Sequence, residues 1–177
     1  MRHLKTITDK DLGMDTPAPE AYETRDTART VVFDAEGTVA SLNVALLYVA
    51  KKQYHKLPGG GVEQGETIAQ AAEREAEEEI GCTITLVDEM GVVEEYRNGL
   101  TMHQTSYCYT AMLQGEKGIP QMTEEEIADG FEVVWLPLDG AIKLLESETG
   151  TVEDYEGKFI NARELLYLKE AKRAIAE

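Results

Sequence analysis

The sequence is short of the residues that build disulfide scaffolds, zinc sites and nucleic-acid clamps. It has two cysteines, Cys82 and Cys108, without the spacing of a disulfide framework, so they read as buried thiols. It has three histidines and no Cys/His cluster of the kind that holds zinc. Lys and Arg number 17 against 34 Asp and Glu, a formal charge of −17. No basic stripe interrupts that acidic field, which repels duplex DNA and RNA and excludes a long nucleic acid as the expected partner. Long apolar runs are also missing. No stretch approaches the ~20 residues of a membrane-spanning helix, and Met1 to Thr24 contains no apolar segment of the signal-peptide kind. The expectation is a chain with no membrane partner and a cytoplasmic location.

What is present suits one domain: 177 residues, 42% of them hydrophobic, enough to bury a core. No internal repeat is found. Apolar and β-branched runs at about 27–34, 39–49, 53–57, 82–95, 102–113 and 131–136 read as strands, and helical patterns fall at about 67–80, 139–147 and 160–176. Interleaved strands and helices predict an α/β fold. Residues 1–24, with Pro17 and Pro19 among polar neighbours, read as an N-terminal arm, or as a segment pairing with a second subunit. The domain proper is expected over 25–147. Leu165, Leu168 and Lys172 recur at helical spacing in a C-terminal extension, 148–177, that packs on the domain.

The most informative stretch is LPGGGVEQGE (57–66) followed by a helix that meets no glycine or proline until Gly81. Good helix formers and the glycine stop predict a helix over 67–80. Glu75, Glu78 and Glu79 then share an arc of about 100°, bordering an apolar arc of Ala69, Ala72, Ala76 and Ile80. Glu73 and Glu77 point elsewhere, into solvent. Three carboxylates at i, i+3 and i+4 repel one another unless a cation lies among them. Hard oxygen donors suit Mg²⁺, with Mn²⁺ as the alternative. Charge alone would explain Glu77-Glu78-Glu79 as a solvated face, but the glycine loop and the fixed spacing favour a metal held against phosphate.

Gly60, Glu66, Arg74-Glu75, Glu78-Glu79 and Gly81, with Ala76 and Cys82 in the apolar slots, resemble the Nudix box at every fixed position. The resemblance departs mildly at Cys82, where an aliphatic residue is commoner, and at His55, where the family often has Trp. Thr30 to Phe33, the acidic turn 34–37, His55 to Gly60 and Phe131 to Asp139 extend it over about 25–147. It implies an α/β/α sandwich around a mixed central sheet. It also implies a metal-dependent pyrophosphohydrolase that cleaves a nucleoside diphosphate linked to another moiety, such as a modified nucleoside triphosphate, ADP-ribose or a nucleotide sugar. The alternative is a noncatalytic nucleotide-sensing module of the same fold, whose expected mark, a broken box, is absent.

By the same resemblance the catalytic set is Glu78, Glu75 and Arg74. The metal ligands are Glu75, Glu78, Glu79 and the carbonyl of Gly59, with Glu126 supplied by a later loop. Arg74 orients a carboxylate, and Glu78 is either a ligand or the base that activates water. Gly60, Glu66 and Gly81 shape the loop and helix. The small partner is nucleotide-like, and a homodimer is a family-level expectation. The arginine-containing signature of coenzyme A-cleaving relatives is missing before Leu57. The proline of ADP-ribose-cleaving relatives is missing near Asn98. Tyr96 lies close to, without matching, the tyrosine of diadenosine-polyphosphate relatives. Tyr96, Tyr107, Tyr109 and Phe131 can stack on a base, although strand aromatics usually pack. His55 and His103 read as structural.

Overall fold

The computed structural model describes residues 1–34 and 42–176; the turn through Gly37 and positions 39–41 of the expected second strand lie outside them. Among the described residues seven strands form one mixed sheet: β1 (His3–Thr8), β2 (Glu23–Asp34), β3 (Asn43–Val49), β4 (Tyr54–Lys56), β5 (Thr83–Arg97), β6 (Met102–Gln114) and β7 (Phe131–Pro137). Their order is β1-β5-β6-β2-β3-β4, with β7 also paired to β3. β1 with β5 and β2 with β6 run parallel, and the other pairs are antiparallel.

Alternation along the strands sends side chains to two faces, and helices cover both. Val32, Ala45 and Leu47 meet Ala76 and Ile80 of α1 (Ile68–Ile80). Val31, Phe33, Val44 and Leu46 meet α3 (Leu138–Glu148) and α4 (Tyr155–Ala176) through Ala141, Leu145, Phe159, Tyr167 and Leu168. The result is the α/β/α sandwich. A short helix, α2 (Glu124–Ala128), precedes β7. No helix among the described residues is long and apolar enough to cross a membrane.

The N-terminal segment departs from the expected arm. Residues 3–8 form an edge strand beside β5, and Ile7 is buried in the core. The approach depends on Gly91, which has φ 153°; a Cβ there would stand 2.6 Å from Leu4 Cγ and 2.7 Å from the Arg2 carbonyl oxygen. A lone glycine inside a strand often marks such a close passage.

The C-terminal helix also starts earlier than expected, at Tyr155, and carries fully buried charges. Arg163 donates from Nη1 to Glu95 Oε2 at 2.8 Å and from Nη2 to Glu164 Oε1 at 2.6 Å. Arg97 and Gln104 also donate to Glu95 Oε2, at 3.1 and 2.8 Å. Arg29 lies 3.5 Å from Glu164. Burial would raise the pKa of Glu95, yet the charges of Arg163 and Arg97 hold it below the usual carboxylate range. α4 therefore shares the core of the sheet through both apolar and ionic contacts.

Candidate active site

The glycine loop is stitched to the backbone of β2. Thr30 N–H donates to the Pro58 carbonyl at 3.1 Å, Ala28 N–H to Gly60 at 3.0 Å, and Val62 N–H to Asp26 at 3.0 Å. Gly59 sits at φ 138°, where a Cβ would overlap the Ala28 carbonyl, so only glycine passes here. The loop delivers the chain to Thr67, which caps α1 in a reciprocal box with Gln70. At the other end Gly81, in the left-handed conformation at φ 65°, donates to the Glu77 carbonyl, and Cys82 N–H donates to the Ala76 carbonyl.

α1 places its side chains largely as its periodicity predicts. Ala71, Ala72, Ala76 and Ile80 are buried, with Ala71 taking the core position expected of Ala69. Glu73 and Glu77 are exposed. Glu75 and Glu79 are buried on the edge facing the loop, and the Glu78 side chain retains 44% of its accessibility.

Arg74 organises this edge. Nε and Nη2 hold Glu66 as a fork at 2.9 and 3.1 Å, and Nη2 also donates to the Gly61 carbonyl at 3.0 Å. Nη1 reaches both Glu75 Oε1 at 2.8 Å and Glu78 Oε2 at 3.0 Å. The Arg74 bond holds the Glu66 carboxyl below its ordinary range, and Glu66 in return raises the guanidinium further. Glu66 also accepts from Glu63 N–H at 2.9 Å, which ties the loop to the helix start.

Glu79 is 1% exposed. Its Oε2 accepts from Gly59 N–H at 2.6 Å and its Oε1 from Lys56 Nζ at 2.7 Å. Burial pushes its pKa up; the Lys56 charge and the two hydrogen bonds pull it back. Lys56 escapes the sequence reading altogether, because nothing in a lone lysine two positions before Pro58 shows which side chain it meets.

The donor chemistry fits a hard divalent cation. One cationic nitrogen already bridges two carboxylates, and Glu75 fills a hollow that exists because position 60 has no side chain: a Cβ there would lie 2.6 Å from Glu75 Cδ. The assembly differs from the expected cage, however. Among the described residues no three His, Cys, Asp or Glu side chains converge as a ligand set. Arg74 holds Glu75 and Glu78 together, while Lys56 holds Glu79.

Glu126 is engaged in a helix cap. Its Oε2 accepts from Thr123 N–H at 2.7 Å and Oγ1 at 3.0 Å, closing the capping box of α2. The loop before it is nevertheless anchored to α1, since Gly118 N–H donates to Gly81 at 2.9 Å and Gln121 N–H to the Glu78 carbonyl at 2.7 Å.

The remaining candidates are engaged in packing. His55 Nδ1 pairs with Glu148 at 2.5 Å, and its ring lies tilted against Tyr48 at 4.8 Å. Tyr96 lies between Tyr22, edge-on at 5.3 Å, and His103, stacked at 4.3 Å. Tyr107 and Tyr109 lie half-buried on β6, and both cysteines are buried and free. Phe131 packs under Lys56, whose Nζ is 4.9 Å from the ring centre.

The model of the NUDIX domain matches residues 23–163, and the chain belongs to the Nudix family; by that membership it is a Nudix-type pyrophosphohydrolase. Solved structures share the fold. An Ap4A hydrolase of C. elegans in a binary complex is 20% identical, with a TM-score of 0.56 over 85% of this chain and 98% of that one. A mutT/nudix family protein from Listeria innocua is 21% identical, with a TM-score of 0.54 over 86% and 94%. The NUDIX domain of Shewanella oneidensis NrtR, complexed with ADP ribose, is 17% identical, with a TM-score of 0.59 over 86% and 89%. No curated protein matches the sequence.

Proposed function

We propose that this chain hydrolyses the pyrophosphate bond of a nucleoside diphosphate linked to another moiety, using Mg²⁺ or Mn²⁺. The observation that carries the proposal is the bridging of Glu75 and Glu78 by one Arg74 nitrogen beside the glycine loop, which marks a place where positive charge is held between carboxylates. Glu75, Glu78, Glu79 and the Gly59 carbonyl would hold the ion. When bound it neutralises phosphate oxygens and orients the diphosphate. Arg74 and Lys56 hold the carboxylates in position. Arg74 and Glu66 lock the loop to the helix, so that substrate meets a preset backbone. Glu78, the most accessible of the three glutamates, takes the proton from an attacking water. The likeness to an Ap4A hydrolase and to a NUDIX domain complexed with ADP ribose supports a small nucleotide substrate.

Monophosphate release from a panel of nucleoside diphosphate derivatives tests this, in wild type, Glu78→Gln and Glu79→Gln, with Mg²⁺ or with excess chelator. Loss of turnover in both folded variants and in chelator is expected. Equal turnover in chelator would rule out the metal, and a folded wild type inert on the whole panel would leave the nucleotide-sensing alternative.

A further inference from the structure

Beside the acidic edge of α1 the protein presents an apolar hollow. The loop before α2, α2 itself and the start of β7 border an open, solvent-facing cavity of about 530 Å³, in which Pro120, Met122, Ile127 and Phe131 supply apolar wall and Gln121 and Glu132 supply polar groups. Ile127 is 65% exposed. A single exposed isoleucine needs no explanation, but this one lines a concavity with a thioether and an aromatic ring.

The cavity is joined to the carboxylate site at two points. Gln121 N–H donates to the Glu78 carbonyl at 2.7 Å, so the cavity wall is pinned to a residue of the acidic edge. Lys56 Nζ lies 2.7 Å from Glu79 Oε1 and 4.9 Å from the Phe131 ring centre. One ammonium group therefore separates a buried carboxylate from the cavity wall.

Size and chemistry select the occupant. Small-molecule sites commonly measure about 300–1,000 Å³, mostly apolar with a few polar groups that fix orientation. A flat ring gains from contact with Phe131 and the Met122 sulfur. The Gln121 amide both donates and accepts, and the Glu132 carboxylate accepts, so together they match a ring whose edge carries N–H and carbonyl groups. A nucleobase has apolar faces and that polar edge, whereas a sugar or a bare phosphate would leave Met122 and Ile127 uncovered.

We propose that this cavity receives the nucleobase of the substrate. The proposal rests on the diphosphate-hydrolase reading and gives the nucleoside half of the substrate its place.

The test compares binding of AMP and GMP with binding of ribose 5-phosphate, which keeps sugar and phosphate and lacks the base. Chemical-shift titration follows weak binding in wild type, Ile127→Ser and Phe131→Leu. Wild type should bind at least one mononucleotide ten-fold or more tightly than ribose 5-phosphate. Both variants should bring that ratio below about three-fold, with the ribose 5-phosphate constant unchanged. Phe131 also packs against the core, so Ile127→Ser, an exposed site, decides the matter if Phe131→Leu loses stability.

A wild-type ratio near one overturns the proposal, as does a ratio that survives Ile127→Ser. Sedimentation of the same samples identifies a second copy as the occupant if Ile127→Ser dissolves a dimer and leaves the ratio intact, which also overturns it. Turnover of the nucleotide panel by wild type separates the two readings. Turnover with an insensitive ratio sinks the cavity alone, and a sensitive ratio without turnover sinks hydrolysis and keeps the base site.

Discussion

Gly60 and Glu75 occupy adjoining space: a β-carbon on the glycine would stand 2.6 Å from the Glu75 carboxyl carbon. The obstacle is the far end of a flexible side chain and not backbone, so the fold can absorb a methyl group by turning Glu75 away. Gly60→Ala should then keep its melting temperature within a few degrees and lose on the order of 10²-fold in kcat/KM, the usual result of misplacing a reacting group by about 1 Å. Steady-state kinetics beside a thermal melt checks this. Unchanged kcat/KM would mean that the Glu75 position is irrelevant to turnover.

Lys56 neutralises a carboxylate that has almost no solvent. Lys56→Met removes that partner and should cost about 3 kcal/mol in urea unfolding without metal, the penalty of leaving one half of a buried pair. Mg²⁺ at saturating concentration should recover part of the loss, because an ion that binds only the folded state stabilises it by mass action. A deficit identical with and without Mg²⁺ would argue against an ion beside Glu79.

Glu95 links stability to pH. Its folded pKa is held below the ordinary value of 4.5 by Arg163 and Arg97, against the effect of burial. Between the two values the unfolded chain binds more protons, so this contribution is complete above the unfolded pKa and is lost as pH falls through the folded one. Glu95→Gln should be about 3 kcal/mol less stable at pH 7 and should show a shallower acid limb than wild type. Parallel acid limbs in the two proteins would show that Glu95 does not govern this pH range.

Glu126 serves the α2 cap. Glu126→Gln, which keeps a hydrogen-bonding acceptor at that position, should leave kcat and the Mg²⁺ half-saturation within about two-fold, whereas Thr123→Ala should loosen α2 by about 1 kcal/mol in hydrogen exchange. A ten-fold rise in the Mg²⁺ requirement of Glu126→Gln would show that the carboxylate leaves the cap to bind the ion.

Much of the site was legible because its residues lie close in sequence. Glu66, Arg74 and Glu78 are brought together by loop and helix spacing alone, and Gly81 ends the helix for a local reason. Lys56 was not legible, since its meeting with Glu79 depends on how β4 lies against α1. The burial of Arg163 and Glu164 was not legible either, since their partners Glu95 and Arg29 come from remote strands of the sheet. β1 was missed because Leu4 and Ile7 do not alternate with a strand period, and its partner strand is remote in the chain. Glu126 has the right charge in the right loop, yet a local capping bond with Thr123 claims it, and charge counting cannot see that competition.

The parallel pairing of β1 with β5 joins segments that synthesis separates widely, so the N-terminal strand must wait for the later one before its hydrogen bonds can form. Until then the outer side of β5 offers unpaired backbone groups to any passing strand. Deleting residues 1–8 would make that exposure permanent, and the shortened protein should aggregate even with every residue of the glycine loop and acidic helix in place.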